Sequence, residues 1–363
     1  MTEAADSSRP AKRPRQKDSK EGLLHDGEYW LEDGNIVLVA CDTAFRVYRG
    51  LLAAQSSVLA ELFNSIPSST GQNIYEGCPM VPLSDSPEEL RHFLRVLFPK
   101  TQRLYVSTHP ARSTRSHIQH AVYHRFYSDE EEPKVEFDQI CAVLQLAHKY
   151  HVEDVERQAL SALKAHYTND FDTYDDRDED DPDTLPIAFS ECEEIHAIAA
   201  IRLAHLTGTP SILPTAFYEC CIQGSKVLDG YIREDGSEEH LEKADLKICM
   251  DGREALVREA LKLVLRIFDP EGCDSEDCST LAHCPPALLR MMVDAAHYDC
   301  ASACDVFTSW EGAIRDLAEK RRLCDSCTRA VVARDVDERR DIWRRLPDIL
   351  GLVVEGWGVE KED

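Results

Sequence analysis

FRVYRGLLAAQSSVLAELF, residues 45–63, changes its period partway along. Phe45 and Val47 alternate with Arg46 and Tyr48, as in a strand with one buried face. The run Ile36, Val37, Leu38, Val39 lies just upstream, with Cys41-Asp42-Thr43 between. Together these predict a hairpin over 34–48. Leu51, Leu52, Ala53 and Ala54 then give a short helix. Ser56 or Ser57 can cap the next one, which places Val58, Leu59, Leu62 and Phe63 on one face. Leu51, Leu52, Val58, Leu59, Leu62 and Phe63 are assigned to the core.

Working outward, residues 64–79 read as a loop, and Met80-Val81-Pro82-Leu83 as a brief strand that its proline places at an edge. SPEELRHFLRVLF is a helix with every start signal. Ser86 caps it, Pro87 is its first residue, and Glu89 completes a capping box. Residues 100–134 read as a long polar insertion. Its His117, His120 and His124 have helical spacing but no cysteine or carboxylate among them, so a flexible insertion is preferred to a metal site. Two helices follow, with Ile140, Val143, Leu144 and Ala147 on the first and Val155, Ala159, Leu160 and Leu163 on the second, reversed near Tyr150-His151-Val152.

NDFDTYDDRDEDDPD, 169–183, lacks the spacing and closing glutamate of a calcium loop. It is expected to be a solvated acidic linker over 169–184. Beyond it, 185–357 reads as a helical domain, with a short tail at 358–363. Ser190 can cap a helix bearing Ile195, Ile198, Ala199 and Leu206. The stripe Leu256, Val257, Ala260, Leu261, Val264, Leu265, Phe268 is wide enough to predict a central helix. Further helices are expected around 286–297, 304–323 and 335–346.

With 67 acids against 41 bases, the chain carries a net charge of −26, which disfavours nucleic-acid binding by the chain as a whole. No apolar run is long enough for a membrane span, and no secretory signal is visible, so an intracellular protein of cytoplasm or nucleus is expected. Residues 1–25 read as a disordered basic tail, in which Lys12, Arg13, Arg15 and Lys17 are a candidate nuclear-import signal or a plain solvated run.

No phosphate-binding loop, dinucleotide fingerprint, nucleophile elbow or HExxH occurs. Carboxylate pairs are too common here to single one out, so no enzyme is expected. Cysteines are dense from 273 to 327. Cys324 and Cys327 form a CxxC, whose spacing suits one tetrahedral zinc. Cys273 and Cys278, or Cys284, could complete it. Buried or exposed thiols without metal are the competing reading, and no cofactor is the expectation. A thioredoxin-like role is disfavoured, since the CxxC follows no βαβ strand.

Taken in order, these motifs resemble a BTB/POZ domain of the divergent type found in basidiomycete fungi. The family's strand–helix motif is matched by Phe45, Val47, Leu52, Ala53, Ser57, Val58, Leu62 and Phe63, with Tyr48 where a histidine is usual. PEELRHFLRVLFP and LQLAHKYHVEDV resemble its later helices. RRLCDSCTRAVVARDVDERRDIWRRLPDILGL resembles the C-terminal end of the same fungal proteins through Cys324, Cys327, Arg339 or Arg340, Trp343, Leu346, Pro347 and Leu350. The resemblance implies an α+β BTB/POZ fold over 26–168, a small sheet capped by helices, followed by a mostly helical domain. It implies a non-catalytic protein-interaction module, forming homo- or heterodimers through the first helix and the N-terminal segment. Two alternatives are a substrate adaptor of a cullin-type ubiquitin ligase, with Ile74 and Glu76 as the candidate contact, and a nuclear regulator of transcription.

Overall fold

The computed structural model describes residues 22–65, 74–98, 136–177, 193–273, 278–295, 297 and 304–358. The basic tail with Lys12, Arg13, Arg15 and Lys17, the insertion at 100–134, and Ser190 lie outside the described residues. The protein is of mixed α and β type, with a small N-terminal sheet followed by helices. It divides into two compact units between Arg91 and His92.

The first unit contains a five-stranded sheet in the order β1-β3-β2-β5-β4. The strands are β1 (Leu24–Trp30), β2 (Ile36–Ala40), β3 (Thr43–Val47), β4 (Ile74–Tyr75) and β5 (Cys78–Leu83). The expected hairpin is β2–β3, antiparallel, with Leu38 opposite Phe45 and Ile36 opposite Val47. β2 is buried along its whole length, so both of its faces are covered. Val37 and Val39, with Ala44 and Cys78, take one face, where Leu23, Trp30, Tyr75 and Met80 pack on them.

β5 runs parallel to β2, and β4 lies outside it. Pro82 therefore does not sit on the last strand. β4 reaches only as far as Pro79, so β5 is flanked by β2 alone at Pro82, where a missing N–H is tolerated. β1, within a segment too polar to signal a strand, runs parallel to β3 with a register shift between His25 and Trp30. The buried Asp26 anchors it by accepting the N–H groups of Glu28 (3.0 Å) and Tyr29 (2.8 Å) and the Arg91 Nε (2.9 Å).

Helices α1 (Arg49–Gln55) and α2 (Ser57–Asn64) follow β3. Ser56, not Ser57, is the cap: its buried hydroxyl accepts from Leu59 N–H at 3.0 Å, while Ser57 is exposed. Leu52, Leu59 and Phe63 are core, as expected. Leu51 is not. A helix of two turns turns only one of two adjacent leucines inward, and Leu51 is 51% exposed. Ala53, Val58 and Leu62 are half-buried. Helix α3 (Pro87–Leu97) opens on the expected reciprocal box, with Glu89 N–H donating to Ser86 Oγ at 3.2 Å and Ser86 N–H to Glu89 Oε2 at 3.4 Å.

In the second unit, α4 (Phe137–Lys149) and α5 (Glu153–His166) form the expected helical hairpin. His151 takes a left-handed conformation (φ 51°), and Val152 N–H bonds Ala147 O at 2.9 Å. This Schellman ending reverses the chain.

The acidic run is not solvated linker from its start. Asp170 caps α6 (Phe171–Asp175), Phe171 is buried, and Asp175 and Asp172 pair with Arg339 and Arg340. Three bonded acids are thereby fixed within a run that composition alone reads as free. The remaining helices are α7 (Ala197–Leu206), α8 (Leu213–Gln223), α9 (Lys243–Ile267), α10 (Cys284–Ala295), α11 (Glu311–Arg321) and α12 (Asp325–Ile349). A two-residue-per-strand hairpin, β6 (Tyr231–Ile232) and β7 (Glu238–Glu239), was not signalled by the sequence.

The stripe on α9 is central only in part. Leu256, Ala260 and Val264 are buried, with Phe268 just beyond, but Val257, Leu261 and Leu265 are exposed. On α7, Ile198 and Ala199 are buried, whereas Leu206 at its end is 40% exposed. Among the described residues, no helix is long and apolar enough to cross a membrane.

Candidate functional site

In the first unit, the sheet curls until side chains from its two outer strands meet. The His25 ring on β1 stacks on Trp30 at 3.5 Å and meets Tyr75 on β4 edge-on at 6.0 Å. His25 Nε2 lies 3.2 Å from Tyr75 Oη and 3.4 Å from Glu76 Oε1. Glu76 and Gly77 turn β4 into β5, both with positive φ (46° and 79°). That backbone fits the two-residue hairpin turn that matches strand twist. Glu76 is thus held at a rigid corner, and the neighbouring Ile74 is 52% exposed. Leu24 on β1, 63% exposed, and Leu51 on α1 are the other large apolar side chains exposed in this unit among the described residues.

Tyr48 sits at the junction of β3 and α1. Its hydroxyl donates to Asp33, and that hydrogen bond, followed by burial, raises the phenol's pKa. Asn35 Oδ1 accepts the next N–H, that of Arg49, at 2.7 Å. Phe45 and Val47 are fully buried beside it.

In the second unit, four cysteines converge. The thiols of Cys278, Cys284, Cys324 and Cys327 all lie within 4.8 Å of one another. Each pair is delivered by the same local device. α11 ends on Arg322 in the left-handed region (φ 55°), and Leu323 N–H closes on Ala318 O at 2.9 Å. Cys324 is then the N-cap of α12, and Cys327 lies in its first turn. On the other side, Cys278 precedes a turn closed by His283 N–H and Cys284 N–H on Thr280 O, and Cys284 is the first residue of α10. Both pairs thus place one thiol ahead of a helix and one in its first turn.

Cys284 and Cys327 are buried, whereas Cys278 and Cys324 are half-exposed. Burial acts to raise the Cys324 thiol. Hydrogen bonds from the Cys327 N–H, the Cys327 and Cys284 thiols and the Ser279 N–H outweigh it and bring the pKa down to about 6. Such a group is a thiolate at neutral pH, the form that attacks or ligates.

Four of the five cysteines considered converge. Cys324, Cys327 and Cys278 are brought together, and Cys284 joins them. Cys273 ends a short 3-10 turn, and its side chain lies outside the described residues. The alternative partner Cys284 is supplied by the start of α10.

A second group of thiols, on and around α8 and α9, differs in kind. Cys221 donates to Cys249 O at 3.4 Å, and Cys304 to Cys221 O at 3.3 Å. Hydrogen bonding to Cys249 and then burial push the Cys220 and Cys221 thiols well up. Cys220 and Cys221 thus behave as small apolar residues with a weak donor, while the hydrogen bonds that they give bring the Cys249 thiol down to about 4.

The C-terminal signature builds a packed centre rather than an open site. Arg339, not Arg340, is the inner arginine. It is buried and donates to Asp175, to Asp335 Oδ2 (3.2 Å) and to Phe307 O (3.2 Å). Arg340 pairs with Asp172 on the surface. Trp343 donates to Asn169 O at 3.2 Å and stacks on Trp357 at 5.2 Å. Leu346, Pro347 and Leu350 are buried.

No protein-family model, curated protein or solved structure matches the chain.

Proposed function

We propose that the chain is a non-catalytic protein-interaction protein whose N-terminal part, about 26–168, is a BTB/POZ-type module. What supports the identification is the order of elements: a hairpin, two short helices, a strand parallel to the first hairpin strand, a helix, and later a helical hairpin. The observation that carries the function is the exposure of Leu24 and Leu51. They stand on the N-terminal strand and the first helix, where the resemblance puts self-association. Burying two leucines in a dimer would contribute about 3–6 kcal/mol before the cost of association.

Light scattering after size exclusion, across a range of concentrations, tests this. The wild-type chain should form a dimer that dissociates on dilution. Leu24→Glu with Leu51→Glu should be monomeric with an unchanged circular dichroism spectrum. A wild-type chain that stays monomeric at every concentration removes self-association.

A second reading, a cullin adaptor, is favoured by one observation: the exposed Ile74 next to a Glu76 held at a fixed turn. Cullin should be captured by wild type and lost with Ile74→Asp or Glu76→Lys. Equal recovery with all three proteins, or none with any, ends that reading.

A further inference from the structure

The four converging thiols are two more than a disulfide needs, and they are placed as a metal needs them. Zinc bonds thiolate sulfur at about 2.3 Å, so a tetrahedron of sulfurs around it has edges of about 3.8 Å. Cys278 Sγ and Cys324 Sγ are 4.0 Å apart, and no pair in the set exceeds 4.8 Å. Small rotations about χ1 close the remaining gap. We propose that Cys278, Cys284, Cys324 and Cys327 bind one zinc ion that fastens the start of α10 to the start of α12.

Three features beyond distance carry this. The first is charge. Four thiolates around one divalent cation leave a net charge of −2, which a buried site must offset. Cys284 and Cys327 lie in the first turns of α10 and α12, whose dipoles favour negative charge; the Cys327 N–H also bonds Cys324, whereas α10, with Pro285 and Pro286 in its first turn and the Cys284 N–H bonded to Thr280 O, offers its dipole alone. The helices have 12 and 25 residues, so neither is a marginal turn.

The second is support around the ligands. The Thr280 hydroxyl lies 3.0 Å from Cys284 Sγ. His283 Nε2 meets Arg321 O at 3.0 Å, and Arg321 forms a two-pronged pair with Asp294 at 2.6 and 2.7 Å. The turn after Cys278, the end of α11 and the body of α10 are thus tied together independently of the metal. Groups of this sort hold first ligands in register.

The third is ligand chemistry. An all-sulfur set selects a soft or borderline cation and rejects magnesium and calcium. Sulfurs this close enclose a single ion rather than a bridged iron–sulfur cluster, whose ligands stand further apart. Four protein ligands leave no open position for water, so the site is structural and performs no hydrolysis.

The ion joins segments 39 residues apart, between Cys284 and Cys324. It adds a cross-link to a loop that the His283–Arg321 hydrogen bond and the Arg321–Asp294 pair already help to hold.

Elemental analysis of the full chain, purified under reductant without added metal, should find one zinc per chain. After stripping with a mercurial and a chelator, cobalt(II) should restore stoichiometric binding with the intense visible bands and the sulfur-to-cobalt charge transfer of a tetrahedral tetrathiolate. Cys284→Ser and Cys324→Ser should each lose the metal and lower the thermal midpoint, while Cys221→Ser and Cys249→Ser keep the metal. Trace metal only, together with no cobalt spectrum on the wild-type chain, overturns the proposal. So does a Cys324–Cys327 disulfide in the freshly purified protein, or one iron in place of zinc. The cobalt spectrum of the wild type decides the matter even if the serine variants fail to fold.

Discussion

Helices α9 and α12 are each 25 residues long and pack on one another, yet they invert the usual rule in opposite ways. α9 leaves Met250, Val257, Leu261 and Leu265 exposed along one face. α12 buries Asp335 and Arg339 at its middle. The two are joined by charge. Arg266 bonds Glu338 at 3.0 Å, Arg345 bonds Glu259 at 3.2 Å, and Arg334 donates to Ile267 O and Asp269 O, both at 2.9 Å, closing the open end of α9. Partners, not polarity, decide what is inside. Arg339 has acceptors from three separate segments, so its burial is matched by hydrogen bonds.

The largest effect is expected at Arg339. Arg339→Ala leaves Asp175 and Asp335 without their cation and should cost about 3–5 kcal/mol in denaturant unfolding. A cost under about 1 kcal/mol would mean that α12 tolerates an apolar centre.

Next comes the contact of Gly252 on α9 with Leu350, the C-cap of α12. A Cβ at Gly252 on α9 would lie 2.6 Å from Leu350 Cδ2 and 3.3 Å from Cys221 Sγ. Gly252→Val should destabilise by about 1–3 kcal/mol through overpacking, despite its gain in backbone rigidity. Trimming the neighbour with Leu350→Ala in the same chain should recover part of that loss.

Smaller and pH-dependent is the Glu259 contact. Burial acts to raise its carboxyl, but hydrogen bonds from Lys262 and Arg345 outweigh it and hold the pKa below the usual carboxylate value. A lowered acid contributes stability above its unfolded pKa and loses it as pH falls through the folded one. Glu259→Gln should therefore cost about 1 kcal/mol at neutral pH, and the gap from wild type should close on acidification below about pH 4. A gap that is constant with pH would remove the ionic contribution.

The smallest effect is expected at Leu261. Leu261→Gln on the exposed stripe should shift stability by no more than about 0.5 kcal/mol. A loss of several times that would place an unseen cover on this face.

Much of this was legible in the chain, unevenly. The hairpin, the Ser86–Glu89 box and the α4–α5 reversal follow from local period and capping, which adjacent residues determine. β1 was not legible. Its LHDGEYW alternation is interrupted at a register shift, and its inner anchor is an aspartate, Asp26. Leu51 and Leu52 are alike in sequence, and only the helix direction separates them.

The candidate metal set shows the same limit. CxxC is readable because its spacing is local, but the choice of Cys284 depends on where α10 begins. Arg339 and Arg340 are equivalent in composition. Which one turns inward is decided by Asp175, 164 residues away.

That separation has a consequence for how the protein is made. Asp175 leaves the ribosome long before its arginine is synthesised, so nascent helices of the second unit wait with α6 undocked. Contacts of such long sequence separation form late. Stalled nascent chains should gain protease resistance around 169–177 only after α12 has emerged, and protection already complete in chains stalled before residue 325 would show that α6 finds its place without it. A premature stop before Arg339 would then remove more than a terminal helix, because it would leave α6, 164 residues upstream, without its latch.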